Sequence, residues 1–212
     1  MPALSSLVDD FDDDTIDTTK WPDRSAGCTE TGGRARVPAV AGQYDYWVSQ
    51  AAYSLAGSGA YCRVYPPDTS SGGQTFGRMN ITNAADGTII IGTLVSSGFA
   101  YVGFFNYATS GTYSDPDQVN VTPYDPVEHA WVRIREASGT VYWDTSPDGA
   151  TWTNRRTLAT PSWVTTNLCS AGFDTNRANG SHYAEFDNLN TTGVPDVADP
   201  PTYLRRVAPA RR

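Results

Sequence analysis

The chain has 212 residues, a formal net charge of −8 and an aromatic content of 12%. It is long enough for one large domain to bury roughly 70% of its unfolded surface without a metal or a disulfide. The acidic balance argues against nucleic acid as a main partner, and no apolar run reaches membrane-spanning length.

Abundant Tyr, Phe, Trp, Thr and Val, with 19 Gly and 14 Pro as punctuation, predict short strands. No helical periodicity is sustained beyond a few turns. Residues 4 to 11 read as a first strand that runs into an acidic loop of Asp9, Asp10, Asp12, Asp13, Asp14 and Asp17. The N-terminus lacks a charged-then-apolar leader, so no secretory signal is expected. Strands follow at 34 to 40, 44 to 55 and 60 to 65, then a polar loop at 68 to 73. Further runs at 75 to 82, 88 to 95 and 99 to 107 are separated by Asp86-Gly87 and Ser97-Gly98, of which Asp-Gly is a strong hairpin signal. A short run at 118 to 122 precedes Pro123-Tyr124-Asp125-Pro126.

The stretch 129 to 152 is the most informative. Ser138-Gly139 as a two-residue loop sets Ala137 opposite Thr140, Arg135 opposite Tyr142 and Arg133 opposite Asp144. Val132, Ile134, Val141 and Trp143 then share an apolar face. Trp131, Arg133, Arg135, Tyr142 and Asp144 share the other, an aromatic and charged set suited to sugar recognition, since rings stack on pyranose C–H faces. Ordinary cross-strand pairing explains the same set and is the leading reading. Ser146-Pro147-Asp148-Gly149 is a turn; it lacks one residue of the Asp-box spacing and reads as structural. Strands at 151 to 158, 167 to 174 and 181 to 190 complete about a dozen, at the spacing of a two-sheet sandwich.

Catalytic patterns are missing. There is no nucleophile elbow, no H-E-x-x-H and no phosphate-binding loop, and Glu185-Phe186-Asp187 lacks the further acid of a glucanase strand. An enzyme is not expected. First and last strands of a sandwich are often neighbours, which would bring the acidic loop to Asp187. Calcium favours such oxygens, so Asp10, Asp12 and Asp187 are the candidate ligands, against a preferred reading as a solvated turn. No cofactor is required. Cys28, Cys62 and Cys169 contain no C-x-x-C pair. They read as reduced thiols, with one disulfide as the alternative.

Asp9-Asp10-Phe11 with Trp21, the strand pair within 44 to 61, the meander 129 to 152 and Ala184-Glu185-Phe186-Asp187-Asn188-Leu189 resemble a concanavalin A-like, laminin G-type jelly roll. The resemblance covers roughly residues 5 to 190. It implies an all-β, two-sheet antiparallel sandwich over 1 to 193. An extended Pro/Arg-rich arm follows over 194 to 212, in which Tyr203, Arg205, Arg206, Arg211 and Arg212 would dock onto a partner. The meander is also similar to stretches in minor tail and other virion proteins of actinobacterial bacteriophages. That similarity implies a non-enzymatic virion protein, tail- or capsid-attached, made in the host cytoplasm. Such a protein would sit with other virion proteins as a homo-oligomer or symmetric assembly, touch host glycans, and insert into no membrane. The alternative is a free carbohydrate-binding module or a glycan-active hydrolase.

Overall fold

The computed structural model describes residues 1–67, 75–96, 100–176 and 181–191. The polar loop at 68 to 73 and the arm with Tyr203, Arg205, Arg206, Arg211 and Arg212 lie outside the described residues. In chain order the strands are β1 (Asp23–Arg24), β2 (Thr29–Glu30), β3 (Ala35–Val40), β4 (Tyr44–Val48), β5 (Gly59–Tyr65), β6 (Phe76–Asn83) and β7 (Ile90–Ser96). They continue with β8 (Tyr101–Tyr107), β9 (Val119–Val121), β10 (Trp131–Ala137), β11 (Thr140–Ser146), β12 (Thr153–Ala159), β13 (Cys169–Asn176) and β14 (Ser181–Asp187), with one short helix, α1 (Ser162–Thr166), between β12 and β13.

These strands form two seven-stranded sheets. The first has the order β1-β4-β13-β6-β7-β8-β9 and the second β12-β11-β10-β5-β14-β3-β2. Every named pair is antiparallel, and the fold is an all-β two-sheet sandwich of the jelly-roll kind. Period-2 alternation puts Ala60, Cys62 and Val64 of β5 inward, with Val132 and Ile134 of β10 and Val141 and Trp143 of β11 beside them. Across the gap stand Met79, Ile81, Ile91, Phe104, Ala171 and Phe173. Phe173 stacks on Phe186 of the opposite sheet at 4.3 Å, and the Trp143 indole donates to the Gly92 carbonyl at 3.1 Å, joining the layers. All three cysteines are free and buried.

The meander register is as the sequence reading has it: Ala137 faces Thr140, Arg135 faces Tyr142 and Arg133 faces Asp144. Ser138 (φ 51°) and Gly139 (φ 78°) both take positive φ, the geometry a two-residue primed turn demands. Three local expectations fail. Residues 4 to 11 are not a strand: Leu4–Ser6 is a 3-10 turn that buries Leu4, and the segment's ladder contacts are the single bridges Ala3–Ser54 and Asp9–Leu189. The spacing of Leu4, Leu7 and Phe11, all buried, is one-sided rather than alternating. Asp86-Gly87 does not close a two-residue hairpin either. Six residues separate β6 from β7, and Asp86 Oδ1 instead accepts from the Thr88 amide (2.9 Å) and hydroxyl (2.7 Å). The run at 44 to 55 also ends early, at Val48.

Candidate functional site

Small residues on the outward face of the first sheet let larger side chains lie across it. Gly172, Gly92 and Gly103 sit on β13, β7 and β8, with Asn80 of β6 paired between Gly172 and Gly92. A Cβ on Gly92 would run into the Phe105 ring and the Asn80 side-chain oxygen, so its absence is what lets both side chains lie across the strand. The same side of the sheet carries a groove of about 530 Å³, within the usual range for small-ligand sites. Tyr44, Phe76, Tyr101, Tyr107 and Tyr113 supply its aromatic walls, with Ile90, Leu94 and Gln118 between them. Phe105 stacks on Tyr107 at 4.4 Å, and Tyr113 meets Tyr107 edge-on at 6.0 Å.

Beneath lies an ion pair. Arg78 Nε donates to Asp174 Oδ1 at 2.5 Å, with only 9% and 2% of the two side chains exposed. The Asn80 amide and the Tyr44 hydroxyl also donate to Asp174 Oδ2, the latter at 3.3 Å. Burial pushes the Asp174 carboxyl upward against the pull of Arg78, and pushes the Tyr44 hydroxyl up as well. Burial also works against the Arg78 charge, but Asp174 outweighs it and holds the guanidinium above its ordinary value. The floor is therefore polar yet charge-balanced, and no Asp or Glu stands among the described residues that line the groove. Sequence reasoning missed this site because Tyr44, Arg78, Tyr107 and Asp174 come from four strands brought side by side only by the crossovers. The faint signal was a single Arg in β6 and a single Asp in β13, strands otherwise without charge.

The residues singled out from sequence lie on the opposite sheet. Arg133 and Arg135 both reach Asp144 Oδ2, at 2.9 and 3.0 Å, and Asn154 donates to Oδ1 at 2.9 Å. Arg133 lies over Trp152 (4.1 Å) and Arg135 over Tyr142 (4.0 Å). Trp131 and Asp144 are 2% and 1% exposed. The Trp131 ring is covered by the turn at Gly149, where even a Cβ would come within 3.1 Å of it, so Trp152 rather than Trp131 holds the outward position. The shared face is real, and its charged members pair with one another.

The acidic loop does meet the last strand. Asp9 bridges to Leu189, and its Oδ2 accepts from the Trp21 indole at 2.7 Å. Asp12 and Asp187 are near enough that Asp12 helps raise Asp187, whose carboxyl burial lifts to about 6. Asp10 is exposed and accepts from the Asp12 amide at 3.3 Å. Glu30, 6% exposed, is pushed up to about 7 by burial and by Asp13, an acid the sequence reading left out. No group of three or more His, Cys, Asp or Glu side chains placed to hold a metal occurs among the described residues.

The two-sheet jelly-roll sandwich is a concanavalin A-like architecture, and solved structures agree. A laminarinase from Flavobacterium sp. UMI-01 superposes with a TM-score of 0.63 at 12% identity, over 86% of this chain and 96% of that one. The legume lectin-like domain from Entamoeba histolytica gives 0.56 at 11% identity, over 79% and 87%. The CBM2 module of the Lactobacillus casei BL23 phage J-1 evolved Dit gives 0.51 at 9% identity, over 79% and 81%. No family model matches the sequence, and no curated protein matches it.

Proposed function

We propose that this is a non-catalytic glycan-binding sandwich whose ligand lies in the groove of the first sheet. The observation that carries the reading is the groove itself, aromatic walls over a charge-balanced Arg78–Asp174 floor. Rings of Tyr44, Tyr107 and Tyr113 suit sugar C–H faces. Hydrolysis of a glycosidic bond needs two carboxyls about 5–10 Å apart. Among the described residues the groove lining offers none, and Asp174 below it is already bonded by Arg78, Asn80 and Tyr44. Binding without turnover fits that chemistry better than the glycanase activity named for the laminarinase.

The finer reading is a virion surface module, tail- or capsid-attached, working in several copies beside other virion proteins and touching host glycans. It rests on the resemblance of the 129 to 152 meander to phage virion proteins, and it is supported by the fold shared with the phage J-1 module. A glycan array is expected to give binding that Tyr107→Ala reduces at least about tenfold, the loss of about 1.4 kcal/mol. Release of reducing ends from any bound polysaccharide would overturn the non-catalytic reading. Absence of the chain from purified virions by mass spectrometry would overturn the virion reading while leaving the groove standing.

A further inference from the structure

The outward face of the second sheet concentrates positive charge on an acidic chain. Arg34 at the start of β3 and Arg36 within it both pair with Glu185 of β14, each at 2.7 Å. Arg133 and Arg135 of β10 share Asp144 in the same way. Between these groups Arg63 of β5 stands opposite Trp131 on one side and Asp187 on the other, and it forms no ion pair among the described residues. Five guanidiniums thus face Glu185, Asp144, Asp187 and the neighbouring Asp12, an excess of one positive charge with all four ionised, on a chain whose total is −8.

The arginines are already positioned. Arg34 lies 3.8 Å and Arg63 4.8 Å from the centre of the Tyr65 ring, Arg36 5.6 Å from Tyr183, and Arg133 and Arg135 stack as described above. A stacked guanidinium keeps its in-plane N–H edge for an acceptor and has little rotamer freedom left to lose. Arg135 uses only Nε on Asp144. The strip from β10 to β3 spans three strand spacings, about 14 Å. Partly exposed rings of Tyr61, Tyr65, Tyr142 and Trp152 lie among the charges.

We infer that this face is a second ligand surface, for an acidic polysaccharide whose sugar units carry carboxylates. Spaced anions match spaced arginines, and the intervening rings take the apolar faces of the sugars. A denser polyanion such as nucleic acid would meet the repulsion of the rest of the chain. The site lies on the sheet opposite the groove and does not depend on it.

The test measures binding of the full chain to polygalacturonate and to the same polymer methyl-esterified, at low and at physiological salt. Expected are binding to the free acid, loss on esterification, weakening with salt, and a drop of about tenfold for Arg63→Gln at unchanged melting temperature, with Arg63→Lys retaining more. Tyr107→Ala, in the groove, is expected to leave this binding intact. Failure of the folded wild type to bind polygalacturonate, equal binding of the ester, or an Arg63→Gln variant that binds normally would each overturn the inference. So would tighter binding of double-stranded DNA, or self-association of the chain abolished by Arg63→Gln, which would assign the face to phosphate or to a second copy.

Discussion

Replacing Arg78 with Met removes the guanidinium from beneath the groove and leaves Asp174, 2% exposed, with two neutral donors, Asn80 and Tyr44. Removing one partner of a buried pair costs about 3–5 kcal/mol, because a charge remains without compensation. The surviving donors place this case near the lower figure. At about 2–4 °C per kcal/mol for a domain of this size, the melting temperature should fall by about 6–12 °C. Burial already holds the Asp174 carboxyl high, and loss of Arg78 raises it further. Its charged form is thus the disfavoured one in the folded state, so the deficit should be largest near neutral pH and shrink as pH falls and the carboxyl takes a proton. Arg78→Met combined with Asp174→Asn removes both charges and should be much less destabilising than the sum of the single variants. Urea unfolding followed by tryptophan fluorescence gives the four free energies of the cycle. Additivity within about 0.5 kcal/mol would show that the pair is not coupled and would refute the reasoning.

Gly92→Ala places a Cβ against the Phe105 ring and the Asn80 oxygen, and overpacking of this kind costs about 1–3 kcal/mol; an unchanged urea midpoint would mean that Phe105 yields freely. Glu30, raised by burial from 4.5 to about 7, favours folding while protonated, so its contribution is full below pH 4.5 and fades as pH rises through 7. Urea titrations from pH 4.5 to 8 should show that decline, and Glu30→Gln should flatten it. Calcium at Asp10, Asp12 and Asp187 remains a proposal that melting can decide. Added calcium should raise the midpoint and EDTA reverse it, and identical curves would remove the site.

What was legible in the sequence was local. The 129 to 152 register could be written down in advance because Ser138-Gly139 admits the positive φ of a two-residue turn and the flanking apolar residues alternate. The closeness of the acidic loop to Asp187 was expected from adjacent first and last strands, but it comes from the single bridge of Asp9 to Leu189, since 4 to 11 form no strand. The groove was hidden because its members are distant in sequence: Arg78 and Asp174 become neighbours only when β6 pairs with β13. Segment 4 to 11 misled because apolar residues can be buried by a 3-10 turn as well as by a strand. Trp131 misled for another reason, since alternation fixes the side of a sheet but not whether a neighbouring turn folds over it.

The edges of the two sheets have a consequence of their own. In the first sheet the outermost strands, β1 and β9, are two and three residues long, and in the second β2 is two residues long. Such stubs offer a foreign strand too few free amides and carbonyls to pair with. The fourth edge, β12, runs seven residues, but the register of β11 against it shifts between Trp143 and Asp144, and it exposes Thr153, Asn154 and Thr157. A bulged, polar edge is a poor template for further pairing. Many copies can therefore be crowded together with little risk of edge-to-edge polymerisation.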